Sequence, residues 1–170
     1  MYTATENVQS QNDGGGHSPV ELLADSHDIL AAARDAGQQA GLRYAGDVTP
    51  REAWQLFSRN VAILIDVRTQ EERDSVGYVA EAPHVAWATG VPLERNPRFI
   101  RELESKADKL DVILFLCRSG KRSVAAAEAA SRVGFKNVFN VVEGFEGETG
   151  EGQRGFSGGW RSYGLPYTQG

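Results

Sequence analysis

The sequence predicts an α/β domain built on a central, mostly parallel sheet flanked by helices. Three observations lead there. Val61–Val67 and Val112–Leu116 are nearly continuous apolar runs, as expected of strands covered on both faces. Segments with helical apolar spacing lie before, between and after them, the alternation that produces a layered α/β sheet. The chain has 170 residues, 41% hydrophobic and 24% charged, the size and mixture of one globular domain.

Residues 1–17 are rich in Gly, Gln, Asn, Ser and Thr, with almost nothing apolar to bury, and are expected to be a disordered arm. Residues 18–43 read as a helical extension. Ser18-Pro19 suits a helix start, and Asp25–Gln39 carries Ile29, Leu30, Ala33 and Ala36 at helical spacing before Gly41. The main domain is expected over 44–170. It opens with a short strand, Tyr44–Val48. Thr49-Pro50-Arg51-Glu52 is a capping-box start for a helix that buries Ala53, Trp54, Leu56 and Phe57 and ends at Asn60.

Val61–Val67 is then read as a central strand, Thr69–Asp74 as a helical turn and His84–Trp87 as a short strand. Asn96 is expected to cap a helix over Pro97–Asp108, with Phe99, Ile100 and Leu103 inward. Val112–Leu116 is the second buried strand. Arg122–Val133 is an alanine-rich helix ended by Gly134-Phe135, which suits a left-handed cap. Asn137–Val142 is the last strand. The Gly-rich stretch Glu143–Gly159 has neither period and is long for a connection in a small domain.

Several function classes are disfavoured. The net charge of -5 is wrong for a general nucleic-acid binder. No stretch approaches the roughly 20 apolar residues of a membrane span, and Met1–Gly16 lacks the features of a secretory signal. A cytoplasmic location, with no membrane or nucleic-acid partner, is expected. A single cysteine leaves no intramolecular disulfide and no multi-cysteine metal site. His17 and His27 have no partners at ligand spacing, and His84 reads as a hydrogen-bonded structural residue. No metal is expected.

That cysteine, Cys117, carries the chemistry. It follows the buried run Val112–Leu116 and opens Cys117-Arg118-Ser119-Gly120-Lys121-Arg122-Ser123, a tight cationic loop leading into a helix. Loop amides, the helix N-terminus and the charges of Arg118, Lys121 and Arg122 should all favour a thiolate and attract an anion. Arg118, Ser119, Gly120, Lys121, Arg122 and Ser123 are the candidate substrate-binding residues. Phe145, Phe156, Tyr163 and Tyr167 are candidates for lining the entrance to that site.

The Cys117–Arg122 segment resembles the active-site loop of the rhodanese family of sulfurtransferases. Ile65-Asp66-Val67-Arg68-Thr69, followed by Glu71 or Glu72, is similar to its N-terminal signature. Glu143-Gly144, with Gly159-Trp160 and Gly164-Leu165-Pro166, is similar to its C-terminal signature. The likeness runs from about Tyr44 to Tyr167. It implies a rhodanese-like single domain in which Cys117 carries sulfur as a persulfide, without a cofactor. A small donor such as thiosulfate would load it, and cyanide or a thiol, including one on a sulfur-acceptor protein, would unload it. It also implies that Asp66 and Arg68 brace the loop from below.

A sulfur-relay or docking module for a protein partner is the second reading, and a cysteine phosphatase the third. Four residues separate Cys117 from Arg122, a shorter ring than the five of cysteine phosphatases. Two departures stand out. Gly77-Tyr78-Val79-Ala80-Glu81-Ala82 replaces the family's usual Gly-His-Ile-Pro-Gly-Ala. An insert, 146–157, splits the C-terminal signature, and reads either as a flap shaping donor choice or as a solvated loop.

Overall fold

The computed structural model describes residues 19–150 and 157–170. The arm expected over 1–17 and positions 151–156 of the insert, Phe156 among them, lie outside the described residues. Eleven elements are formed among the described residues: α1 (Pro19–Gln39), β1 (Gly46–Val48), α2 (Pro50–Ser58), β2 (Ile63–Asp66), α3 (Gln70–Val76), β3 (Ala88–Thr89), β4 (Glu94–Arg95), α4 (Phe99–Glu104), β5 (Ile113–Leu116), α5 (Lys121–Arg132) and β6 (Val138–Val141).

The main sheet has the order β1-β6-β5-β2, and every pairing in it is parallel. Side chains alternate across it as a pleated strand requires. Ile65, Ile113, Phe115 and Val138 face a core shared with Phe99 and Leu103 of α4 and Ala126, Ala127 and Ala130 of α5. Leu64, Leu114, Leu116, Phe139 and Val141 face the opposite core, with Ala33 of α1, Ala53 and Leu56 of α2, and Trp160. Both apolar runs are therefore buried on two faces, which is why they read as continuous rather than alternating.

The centre of the sheet is β5 and β6, not β2 as the sequence suggested. The chain at 83–87 runs beside the carboxyl end of β2, where Asp66 N–H donates to Pro83 O, Val85 N–H to Asp66 O and Trp87 N–H to Val67 O at 2.9–3.0 Å. Of the strand expected at His84–Trp87, only a bridge from His84 to Asp66 is regular. The antiparallel hairpin β3–β4 follows it.

Helix α1 lies directly on β1: a Cβ added to Gly46 would sit 2.2 Å from the Ala33 carbonyl oxygen. Helix α2 begins with the capping box expected from Thr49 and Glu52. A second capping box, Thr69 with Glu72, starts α3. Helix α4 is shorter than expected and does not begin at Asn96. The Asn96 Oδ1 accepts from Arg98 N–H at 3.0 Å, and its amide donates to Ala86 O at 2.9 Å. That side chain makes a turn and ties it to the sheet, so the helix starts only at Phe99. Helix α5 ends as predicted, with Gly134 at φ 100° and Phe135 N–H donating to Ala130 O at 3.1 Å.

Candidate active site

Ligands in open parallel sheets bind beyond the carboxyl ends of the strands. Cys117 stands one residue past β5 there, 1% exposed. The chain must then turn sharply into α5. Gly120 makes this possible: it takes φ 94° at the N-cap position, a left-handed conformation that a side chain would strain. So placed, Gly120 N–H donates to Cys117 Sγ at 3.0 Å. Ser123, one turn along α5 and fully buried, brings its Oγ to 3.1 Å from the same sulfur. Sulfur, a backbone donor and the positive end of a twelve-residue helix thus converge.

The remaining loop residues divide by environment. Arg118 and Lys121 are exposed at the rim, and Ser119 is half-buried. Arg122 turns to the side. From the sequence it is expected to face the donor, but its Nη1 and Nη2 donate to the two Glu72 carboxylate oxygens at 2.8 and 2.7 Å. Burial pushes the Glu72 carboxyl up, yet the Arg122 guanidinium and the Thr69 N–H and side chain outweigh it and bring it down to about 2. Glu72 in turn raises Arg122 above its ordinary value against burial, with Cys117 and Asp66 adding to the pull. Arg122 therefore pins the start of α5 to the start of α3 while its charge still acts on the sulfur.

Below the loop, Asp66 and Arg68 form a fully buried pair. Arg68 Nη2 reaches Asp66 Oδ2 at 2.7 Å and the Gly77 carbonyl oxygen at 2.8 Å, and its guanidinium lies 4.1 Å from the centroid of Phe145. Phe145 is fully buried, packed edge-on by Tyr167, so it supports the loop rather than lining an entrance. Its N–H donates to Cys117 O at 2.8 Å, and Glu146 N–H donates to Arg118 O at 2.9 Å. This approach needs Gly144: at φ 64°, a Cβ there would lie 2.5 Å from Cys117 O. Tyr163 donates its hydroxyl to the Glu143 carboxylate at 2.8 Å. His84 Nε2 contacts Arg68 O at 2.6 Å, the structural role expected of it.

Beside the loop is a groove of about 420 Å³ bordered by Arg118, Glu71, Val76, Leu93 and Glu146. Val91 and Leu93 of the β3–β4 hairpin are 98% and 52% exposed on its wall. Among the described residues no group of His, Cys, Asp and Glu is arranged to hold a metal ion, and no helix is long and apolar enough to cross a membrane.

Residues 49–149 match the sequence profile of the Rhodanese-like domain. This chain belongs to the rhodanese-like family. The crystal structure of Rv0390 from M. tuberculosis, a chain 42% identical, superposes with a TM-score of 0.65 over 75% of this chain and 99% of that one. An uncharacterized Rickettsia rickettsii protein, the RP600 homolog, is 35% identical over 121 residues, covering 66% of this chain and 87% of its own. The thiosulfate sulfurtransferase GlpE of Coxiella burnetii is 30% identical over 95 residues, covering 56% of this chain and 78% of its own. As a rhodanese-like domain, the chain has the α/β fold expected of it, and the domain match together with the likeness to GlpE supports membership of the sulfurtransferase family.

Two contacts of this rhodanese-like site are not legible in the sequence, although Glu72 itself belongs to the N-terminal signature. Glu72 holds Arg122 across 50 positions of chain, and Asn140 accepts from Ser123 across 17. The available signals were the Thr69-x-x-Glu72 capping pattern and the lone polar residue inside Val138-Phe139-Asn140-Val141-Val142.

Proposed function

We propose that this chain is a sulfurtransferase that carries sulfane sulfur on Cys117 from an anionic donor of the thiosulfate class to a thiol, or to cyanide in assays. The observation carrying this reading is the Gly120 N–H on the Cys117 sulfur at the strand-to-helix turn. A donor hydrogen bond and a helix N-terminus stabilise an anionic sulfur and, after loading, an anionic persulfide.

In the first half-reaction the Cys117 thiolate attacks the outer sulfur of thiosulfate. A sulfur–sulfur bond forms to Cys117, the donor's own breaks, and sulfite departs with the electron pair. In the second, an acceptor thiolate attacks the outer persulfide sulfur, and Cys117 leaves as thiolate. Such covalent catalysis runs as two alternating steps. Arg118 and Lys121, exposed at the rim, would hold the sulfonate. Backbone amides of Arg118 to Ser123 would cradle the persulfide. Asp66 and Arg68 support that loop through Phe145 and its bond to Cys117 O. Phosphate-ester chemistry is disfavoured, since it would want Arg122 aimed at the substrate, and that guanidinium is bound to Glu72.

The apolar hairpin tip beside the groove favours a protein-borne thiol as the physiological acceptor. A location in the cytoplasm fits a thiol carrier, because thiols stay reduced there.

Steady-state kinetics with thiosulfate and cyanide test the proposal. Parallel double-reciprocal lines are expected, with Arg118→Ala raising the donor KM several-fold. Intersecting lines, or no turnover with any sulfane donor, would overturn it.

A further inference from the structure

Behind Cys117 runs a polar chain that the sulfur transfer above does not use. Ser123 Oγ, 3.1 Å from Sγ, donates its proton to Asn140 Oδ1 at 2.5 Å. Asn140 Nδ2 donates to Asp47 Oδ1 at 3.2 Å, and the Tyr44 hydroxyl donates to the same oxygen at 2.8 Å. Ser123 and Asn140 are 0% and 3% exposed, so water does not replace these partners. The chain crosses α5, β6 and β1 and ends at the surface on Asp47.

Its direction follows from what each group can do. An Asp47 carboxylate offers only lone pairs. Tyr44 stays a donor, because burial and then its bond to Asp47 raise it above its ordinary range. Asn140 must therefore turn its NH2 toward Asp47 and its oxygen toward Ser123. That oxygen takes the single Ser123 proton and leaves a hydroxyl lone pair facing sulfur. A thiol S–H can donate to that lone pair, whereas a sulfur anion is repelled by it. Gly120 N–H pulls the other way, toward the anion.

We infer that Asn140, oriented by Asp47 and Tyr44, is a positioning residue that withholds the Ser123 hydroxyl proton from Cys117 and so restrains the resting thiol. The inference rests on Cys117 being the reactive group of the reading above. It adds that the sulfur becomes fully available only when the Ser123 proton swings from Asn140 to Sγ.

Alkylation of Cys117 by iodoacetamide at fixed neutral pH reads this directly, since the chain has one cysteine. Asn140→Leu removes the competing acceptor at similar volume, leaving Sγ as the Ser123 partner. The rate should rise about five- to tenfold, the equivalent of one ordinary hydrogen bond. Looser packing could also speed alkylation, so the substitution is repeated in a Ser123→Ala background. There the proton is gone, and adding Asn140→Leu should change the rate less than about twofold. Equal acceleration in both backgrounds, or none in the presence of Ser123, overturns the inference. Asp47→Ala, at the exposed end, frees the amide to turn. It should give a two- to fivefold rise that likewise depends on Ser123, which keeps the test decisive if Asn140→Leu does not fold. Thiosulfate loading of the unsubstituted protein, followed by mass, is read separately. Its failure would remove the sulfurtransferase reading and leave the alkylation result to stand.

Discussion

Glu72→Gln tests the clamp between α3 and α5. The Glu72 carboxylate accepts both Arg122 nitrogens at 2.7 and 2.8 Å and also the Thr69 N–H at 2.9 Å. Glutamine keeps an oxygen for Thr69 but loses the charge and the second acceptor for Arg122. The fall of the carboxyl from 4.5 to about 2 corresponds to ~3.4 kcal/mol of folding stability at ~1.36 kcal/mol per pH unit. The two side chains are 22% and 17% exposed, so solvent screens part of this, and about 1.5–2 kcal/mol should be realised. The sign follows from the direction. A carboxyl lowered by folding stabilises fully above 4.5, and loses that contribution as pH falls toward 2. Urea unfolding of wild type and Glu72→Gln should thus differ by about 1.5–2 kcal/mol at neutral pH. The gap should narrow steadily below the ordinary carboxyl range. A gap under about 0.5 kcal/mol at neutral pH, or one that does not shrink in acid, would refute the ion pair as the source.

Two further predictions concern the support under the loop. Arg68→Met removes the buried partner of Asp66 and should cost about 3–5 kcal/mol in urea unfolding; a loss under about 1 kcal/mol would mean that Arg73, 3.3 Å from Asp66, suffices. Gly144→Ala should cost about 1–3 kcal/mol and slow sulfur loading, because its Cβ would meet Cys117 O at 2.5 Å. Gly164→Ala is the control: it shares a positive φ of 69° but has open space around the added Cβ, so it should leave loading unchanged.

The parts of this fold legible in the sequence are those where local composition and tertiary role agree. β2 and β5 are apolar runs because both their faces are covered, and α2 starts where Thr49 and Glu52 cap each other within one turn. The β3–β4 hairpin was not legible: its strands are two residues long, and three of the four are exposed, so no alternation marks them. The start of α4 falls at Phe99 rather than Pro97 because Asn96 spends its side chain on a turn and on Ala86, contacts set by tertiary position.

In the site, Cys117 and its loop were readable because a thiol followed by Arg, Gly and Lys is a local pattern. The posture of Arg122 was not, since a cationic side chain beside an anion site looks the same whether it faces the substrate or a distant carboxylate. The place of Phe145, one of four aromatic candidates for an entrance, is likewise not set locally: it packs in the core with Leu116 and Trp160 and under the Arg68 guanidinium. Only the folded chain brings Ser123, Asn140, Asp47 and Tyr44 into line.

Whether Cys117 takes up sulfane sulfur is the point on which the proposed chemistry turns, and intact mass spectrometry after incubation with thiosulfate measures it. The protein should gain the mass of one sulfur atom, with one sulfite released, and Cys117→Ser should gain nothing while folding normally. No gain in the unsubstituted protein, or an equal gain in Cys117→Ser, would contradict sulfur transfer through this thiol.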